Sequence, residues 1–374
     1  MIIENHGNPN SPIWLILEHP YASDADKGYV LSGGVGYIHR KVWSLSGIDI
    51  DPYIYVLKPC LGATYDFDKK FSELVIELCD HNVPFVLPTS VNLFTKFCNS
   101  QVTKSQGKAL FKKYAGNLLT SNYVPYPHYI IPQYDPAHVA ANYDYMEIQS
   151  FIDYGHVREE YEYWRAHNNQ LNPLPTRKLI TEPAYDDLLS FLYRTRFEYE
   201  RKSLSFVSVD IETIRPKKKT PLHIAGHPGY PYTLSLALSP DYGISFSLWD
   251  YTDSQLVVIW RELDYIFREI PQIGQNYFTF DAHFLEALGF RPCLSKCQDT
   301  LIRHHILWPG LEHKLQFQTK QYTREPFYKD EGKLWSPNQK SGLMRYNALD
   351  TTVTYEIYNA QEKEFAEKPH LKGA

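Results

Sequence analysis

Apolar residues in this chain fall into short runs separated by polar or helically spaced stretches. Ile13-Trp-Leu-Ile-Leu17, Tyr53-Ile-Tyr-Val-Leu57, Val83-Pro-Phe-Val-Leu87 and His128-Tyr-Ile-Ile-Pro132 each read as a buried strand, and residues 68–80 and 91–97 carry apolar side chains at helical spacing. Strands alternating with helices predict an α/β sandwich around a mainly parallel sheet. The pattern then changes. Residues 158–200 are charged and largely helical; within them, 168–183 with Asn172-Pro-Leu-Pro175 reads as a linker, and 186–200 as a helix with Leu188, Leu189, Leu192 and Phe197 on one side. Beyond it come a strand at 206–214, paired strands at 232–237 and 243–248, and helices at 256–270, at 281–288 and from Tyr346 through Gln361. The expected organisation is an α/β chain of two domains, 1–165 and 201–374, joined by a linker and leading helix over 166–200.

Length agrees, since 374 residues exceed one typical core. A net charge of −5 argues against coating nucleic acid by bulk electrostatics, but not against gripping one strand end through metals and a local groove. Aromatics reach 15%, including 30 Tyr, which suits base-stacking surfaces and large cores equally. The first residues lack a basic and apolar leader, and no apolar run approaches the ~18 residues of a membrane span. A soluble, cytoplasmic protein with no membrane partner is expected. Cys60, Cys79, Cys98, Cys293 and Cys297 complete no zinc pattern and read as free buried thiols.

Candidate chemistry sits in the second half. In Phe206-Val-Ser-Val-Asp-Ile-Glu-Thr-Ile214, a period of two sends the Asp210 and Glu212 carboxylates to one side of the strand. Paired acids repel unless a cation neutralises them, and hard divalent ions favour such oxygens. Taken alone, the pair reads as a strand running into an acidic turn. In Gln275-Asn-Tyr-Phe-Thr-Phe-Asp281, Asn276 is a helix N-cap candidate and Asp281 opens the next helix, facing the site. In Tyr346-Asn-Ala-Leu-Asp350, four-residue spacing stacks a phenol above a carboxylate. Lys217-Lys-Lys219 is a solvated charge run or, beside a metal site, a backbone contact.

Asp210 with Glu212, Asn276 with Asp281, and Tyr346 with Asp350 together resemble the three motifs of the 3′→5′ exonuclease superfamily, in the subgroup with four acids and a tyrosine; the proofreading domains of family A DNA polymerases look most similar. Cys297-Gln-Asp-Thr-Leu301 fits the segment between the second and third motifs. The likeness covers roughly residues 200–365. It implies an RNase H-like fold with a mixed sheet and two Mg²⁺ or Mn²⁺ ions held by Asp210, Glu212, Asp281 and Asp350. Tyr346 would orient the attacking water, and Thr213, Asn276 and Phe280 would touch substrate. The implied product is a nucleoside 5′-monophosphate from a single-stranded or primer-template DNA 3′ end.

The first half resembles, over roughly residues 10–165, bacterial and phage uracil-DNA glycosylases. Leu17-Glu-His-Pro-Tyr-Ala-Ser-Asp24 and Gly28-Tyr-Val-Leu-Ser-Gly-Gly-Val-Gly36 follow the family's first motif. Tyr55-Val-Leu-Lys58 and Gln133-Tyr-Asp-Pro-Ala137 sit where its later motifs fall. Glu18 keeps the acidic position, but Leu31 replaces the stacking Phe, Tyr55 the base-reading Asn, and Asp135 the late His. The cysteine set of an iron–sulfur cluster is absent. These departures predict a glycosylase-like domain that binds without excising. Gly28, Gly33, Gly34 and Gly36 are expected to let backbone approach a ligand. Some phage family A polymerases share this layout, implying a proofreading subunit or polymerase fragment, in the host cytoplasm if phage-encoded, with a DNA polymerase as partner. Two alternatives stay open: a ribonuclease D-like RNA 3′ trimming enzyme, and a replication scaffold docking a polymerase through residues 1–165.

Overall fold

The computed structural model describes residues 2–60, 64–98, 111, 113–214, 223–224, 227–228, 230–328 and 340–371; Lys217-Lys-Lys219 lies outside them. The chain divides into two compact units, Met1–Leu174 and Pro175–Ala374.

In the first unit, β1 (Ile13–Leu17), β2 (Tyr53–Val56), β3 (Phe85–Pro88) and β4 (Tyr129–Ile130) form a parallel sheet in the order β2-β1-β3-β4. β1 is apolar throughout because both of its faces are covered. Ile13, Leu15 and Leu17 pack with Leu31, Val42 and Trp43, whereas Trp14 and Ile16 pack with Tyr55, Phe71 and Leu74. Helices α1 (Gly34–Leu45), α2 (Phe67–His81), α3 (Val91–Phe97), α4 (Pro136–Ala141) and α5 (Tyr143–Ala166) supply the flanking layers. Asp66 caps α2 through the Lys69 amide and Ser90 caps α3 through the Leu93 amide.

The second unit is built on a mixed sheet of order β12-β11-β6-β9-β10-β5. Its strands are β5 (Lys178–Thr181), β6 (Val207–Ile214), β9 (Tyr230–Ser239), β10 (Tyr242–Phe246), β11 (Gln272–Gly274) and β12 (Gln298–Asp299), with β7 (His223–Ile224) and β8 (His227–Pro228) forming a separate hairpin. β9 pairs antiparallel with β6 and β10; β5–β10, β6–β11 and β11–β12 are parallel. This is the mixed sheet flanked by helices that the exonuclease resemblance implied. β5 lies inside the stretch read as a linker. Among the described residues its strand partner is β10, more than sixty residues away, so no local pattern announces it.

Period-two alternation divides this sheet into two chemistries. Val207, Val209, Ile211, Leu234 and Leu236 pack against α6 (Tyr185–Glu200) and α7 (Asp253–Glu269) through Leu188, Phe191, Leu192, Leu263, Ile266 and Phe267. The other face carries Asp210, Thr233 and Ser235, which meet the long helix α11 (Lys340–Glu367). Small side chains let that helix sit close. A Cβ on Gly243 would come 2.8 Å from Thr352 Cγ2.

The remaining helices are α8 (Asp281–Ala287), α9 (Thr300–Leu307) and α10 (Leu315–Tyr322). All five cysteines are unpaired; Cys297 is buried and the other four are half-buried, less enclosed than the sequence suggested. Among the described residues no helix is long and apolar enough to cross a membrane.

Candidate functional site

The acids of the second unit come from three separate elements. Asp210 and Glu212 project from β6 toward α11, and Asp350 projects back from α11. One carboxylate oxygen of each lies within 4.8 Å of the others. Immediately after Glu212 the register of β6 against β9 shifts, a bulge at the point where the strand leaves the site. Thr213 follows the bulge and is half-buried opposite Pro231.

Asp281 is the first residue of α8 and only 2% exposed. It stands apart from the three clustered acids and grips the strand that carries two of them. Amides of alternate strand residues point the same way. The Val207 amide donates to Pro271 O, toward β11, but the register of β11 on β6 covers Val207 and Ser208 and goes no further. The Ile211 amide therefore lies past its end, and the Asp281 carboxylate accepts it at 2.9 Å. Burial, reinforced by the charge of Asp210, holds the Asp281 carboxyl well above the usual carboxylate range.

On α11, Tyr346 and Asp350 are one turn apart. Burial first, and then the charges of Asp350, Glu212 and Asp210, push the Tyr346 phenol far above its ordinary value. Asp350 also accepts from the buried Tyr328 hydroxyl at 2.6 Å.

The turn before α8 departs from expectation. Asn276 is not the N-cap of α8; Phe280 holds that position and makes no side-chain cap. Asn276 sits exposed in a left-handed turn (φ 61°), its carbonyl accepting the Phe280 amide and its side-chain oxygen accepting the Thr279 hydroxyl. The turn is held by Asp299, which accepts the amides of Asn276 (2.9 Å) and Phe278 (3.4 Å) and caps α9 through Leu301. Phe280 is half-buried, edge-on to Phe284 at 4.9 Å.

The residues aligned with a glycosylase pocket do not converge. Leu31, in the turn before α1, is buried in the apolar cluster on one side of the first sheet, and Tyr55 of β2 in the cluster on the other. Tyr55 donates to Glu77, Glu18 accepts from Asn92 and Tyr65, and Asp135 caps α4 while accepting from Tyr21. The glycine loop also serves its own chain. A Cβ on Gly36 would lie 1.6 Å from Leu31 O, and one on Gly33 would strike Ser23. At the start of α1, the buried Asp24 carboxylate accepts the amides of Ser32 (3.0 Å) and Gly33 (3.3 Å), the place an incoming anion would take.

Two side chains at the acidic cluster escaped the sequence reading. Asn347 donates from Nδ2 to Asp210 Oδ2 at 2.6 Å, and Tyr328 holds Asp350. The alternating Thr233-Leu-Ser-Leu of β9 was a signal for the first, because small hydroxyls opposite leucines mark a face that meets polar groups. Nothing local signals Tyr328.

The donor set suits a hard divalent cation: three converging carboxylates with no sulfur or imidazole among them. Asp210, Glu212 and Asp350 are the residues able to hold one, with Asp281 beside them.

No protein-family model matches the chain, and no curated protein matches it. Among solved structures, the catalytic core of RRP6 from Trypanosoma brucei is similar over 53% of this chain and 51% of that one, at 13% identity and a TM-score of 0.41. Escherichia coli RNase D, an exoribonuclease involved in structured RNA processing, is similar over 53% and 48%, at 17% identity and 0.38. The POL domain of Pol1 from M. smegmatis, in complex with DNA primer-template and dNTP, is similar over 52% and 28%, at 13% identity and 0.38. This chain spans about half or less of the length of these neighbours. The chemistry of the site rests on its own side chains.

Proposed function

We propose that this protein is a divalent-metal-dependent 3′→5′ exonuclease, with DNA 3′ ends as substrate and nucleoside 5′-monophosphates as product. The observation that carries this reading is the convergence of Asp210, Glu212 and Asp350 within 4.8 Å. Asp210, Glu212 and Asp350 would hold the ions, with Asp281 completing the set. When bound, Mg²⁺ or Mn²⁺ supplies neutralisation of phosphate charge and a lowered pKa for water.

The chain's own groups do the positioning. The Tyr346 phenol stays protonated at neutral pH, so it acts as a hydrogen-bond donor and water-orienting group, not as a base. Asp281 fixes the peptide between Asp210 and Glu212 and so sets the direction in which both carboxylates project. Asn276, Phe280 and Thr213 stand on the neighbouring turn and strand end as substrate contacts. Hydrolysis adds water across the P–O3′ bond, leaving a new 3′ hydroxyl on the shortened strand. DNA is preferred because the motifs look most similar to proofreading domains. The first unit is read as a binding module, with a polymerase as its partner, because Leu31, Tyr55 and Asp135 replace the residues a glycosylase of the resembled family uses.

The test uses 3′-labelled and 3′-blocked oligonucleotides as single-stranded DNA, mismatched primer-template and RNA, with Mn²⁺, Mg²⁺ or EDTA. Stepwise release of labelled mononucleotide from DNA, stopped by EDTA, by a 3′ block and by Asp210→Ala, is the expected result. Full activity in Asp210→Ala refutes the site. Faster digestion of RNA than of either DNA replaces proofreading with RNA trimming. The same full chain should release no uracil from uracil-containing DNA.

A further inference from the structure

Asn347 lies between the two residues of α11 assigned to the site, yet no role follows from its spacing. It is 0% exposed. Its amide is held on both sides. The side-chain oxygen accepts from Thr233 Oγ1 at 3.0 Å and Ser245 Oγ at 2.9 Å, while Nδ2 donates to Asp210 Oδ2 at 2.6 Å. Two hydroxyl donors fill both lone pairs of the amide oxygen, so its orientation is determined: a flipped amide would set a carbonyl oxygen against a carboxylate. The network thus ties a carboxylate on β6 to hydroxyls on β9 and β10 through one helix side chain.

Packing alone does not call for this arrangement. Helix α11 is already joined to the sheet by Ser235 Oγ, which donates to the Asn347 carbonyl at 3.0 Å and meets Thr351 Oγ1 at 2.7 Å. A buried polar pair that served only as glue is replaceable by apolar groups of the same shape at little loss. What an apolar side chain at 347 cannot do is donate to Asp210.

We infer that Asn347 is a positioning residue: it fixes the rotation of the Asp210 carboxylate and thereby sets the affinity of the acidic cluster for its divalent cation. The inference rests on the exonuclease reading and extends it. Groups that orient a metal ligand without touching the metal typically change affinity about 10–100-fold when removed.

The test measures Mn²⁺ binding to the full-length protein by electron paramagnetic resonance of the free ion, alongside exonuclease rate against Mn²⁺ concentration. The proteins are wild type, Asn347→Leu and Thr233→Val. Asn347→Leu should weaken Mn²⁺ binding about 10–100-fold. Its rate should fall at limiting Mn²⁺ and largely recover at saturating Mn²⁺, with KM for the oligonucleotide unchanged. Thr233→Val keeps the side-chain shape and removes one of the two donors that orient the amide; a loss of about fivefold in the same direction is expected, and it carries the test if Asn347→Leu fails to fold. Wild-type Mn²⁺ affinity in folded variants overturns the inference and leaves the exonuclease reading standing, as does a rate loss that saturating Mn²⁺ does not relieve. A wild-type protein that neither binds Mn²⁺ nor degrades DNA or RNA overturns both.

Discussion

Asp281→Asn should make the metal-free protein more stable while removing its activity. Asparagine keeps an oxygen to accept the Ile211 amide at the same place, and it removes a charge from a buried position that faces Asp210. The folded carboxyl has a raised pKa, chiefly through burial and then through Asp210. For an acid so displaced, ionisation opposes folding: the penalty is absent below the unfolded pKa of about 3.9, grows as pH rises above it, and levels off beyond the raised folded value. Each pK unit of displacement is worth about 1.4 kcal/mol. For a unit the size of Pro175–Ala374, one kcal/mol moves Tm by about 2–4 °C. The variant in EDTA at pH 7.5 should therefore melt above wild type, by about 3–6 °C for each pK unit of that displacement, with the gap closing toward pH 4. Adding Mn²⁺ should narrow it as well, because the cation relieves the same repulsion in wild type. Scanning calorimetry from pH 4 to 8, with and without Mn²⁺, reads this directly. A variant that melts at or below wild type at pH 7.5, or a gap that does not change with pH, refutes the reasoning.

Three further outcomes are expected. Arg177, its side chain 4% exposed, pairs with Glu325 at 2.7 Å and Glu356 at 2.6 Å; Arg177→Ala leaves two acids facing a lost partner and should destabilise the second unit by about 3–5 kcal/mol in urea unfolding. Tyr328→Phe keeps the ring in its apolar cluster and removes the donor to Asp350, so Mn²⁺ binding should weaken about tenfold with Tm little changed. Gly36→Ala drives a methyl into the Leu31 carbonyl, and circular dichroism melts of the full chain should show an early transition displaced by at least about 2 kcal/mol.

Much of the second unit was legible because its signals are local. Alternation along β6 placed Asp210 and Glu212 on one side, and four-residue spacing along α11 placed Tyr346 against Asp350. The misreadings arose where distant residues decide the outcome. Asn276 looked like a helix cap, but the carboxylate of Asp299, on another strand, shapes that turn. The glycines near α1 looked like room for a ligand, and the chain's own Asp24 and Leu31 fill it. Leu31 and Tyr55 aligned with one pocket as letters, whereas they are buried in separate core clusters, one from a turn and one from β2.

The hydrogen bond from Ile211 to Asp281 gives this fold a built-in spectroscopic probe. In most of a sheet, an amide's protection from solvent exchange reports the neighbouring strand. Here it reports a carboxylate that belongs to the acidic site, because β11 stops short. Whatever draws the Asp281 carboxylate toward an incoming cation must lengthen or reorient this bond, and the Ile211 amide resonance must then move. One backbone nucleus, flanked in sequence by two acids of the cluster, thus registers occupancy without any label on the metal or the substrate.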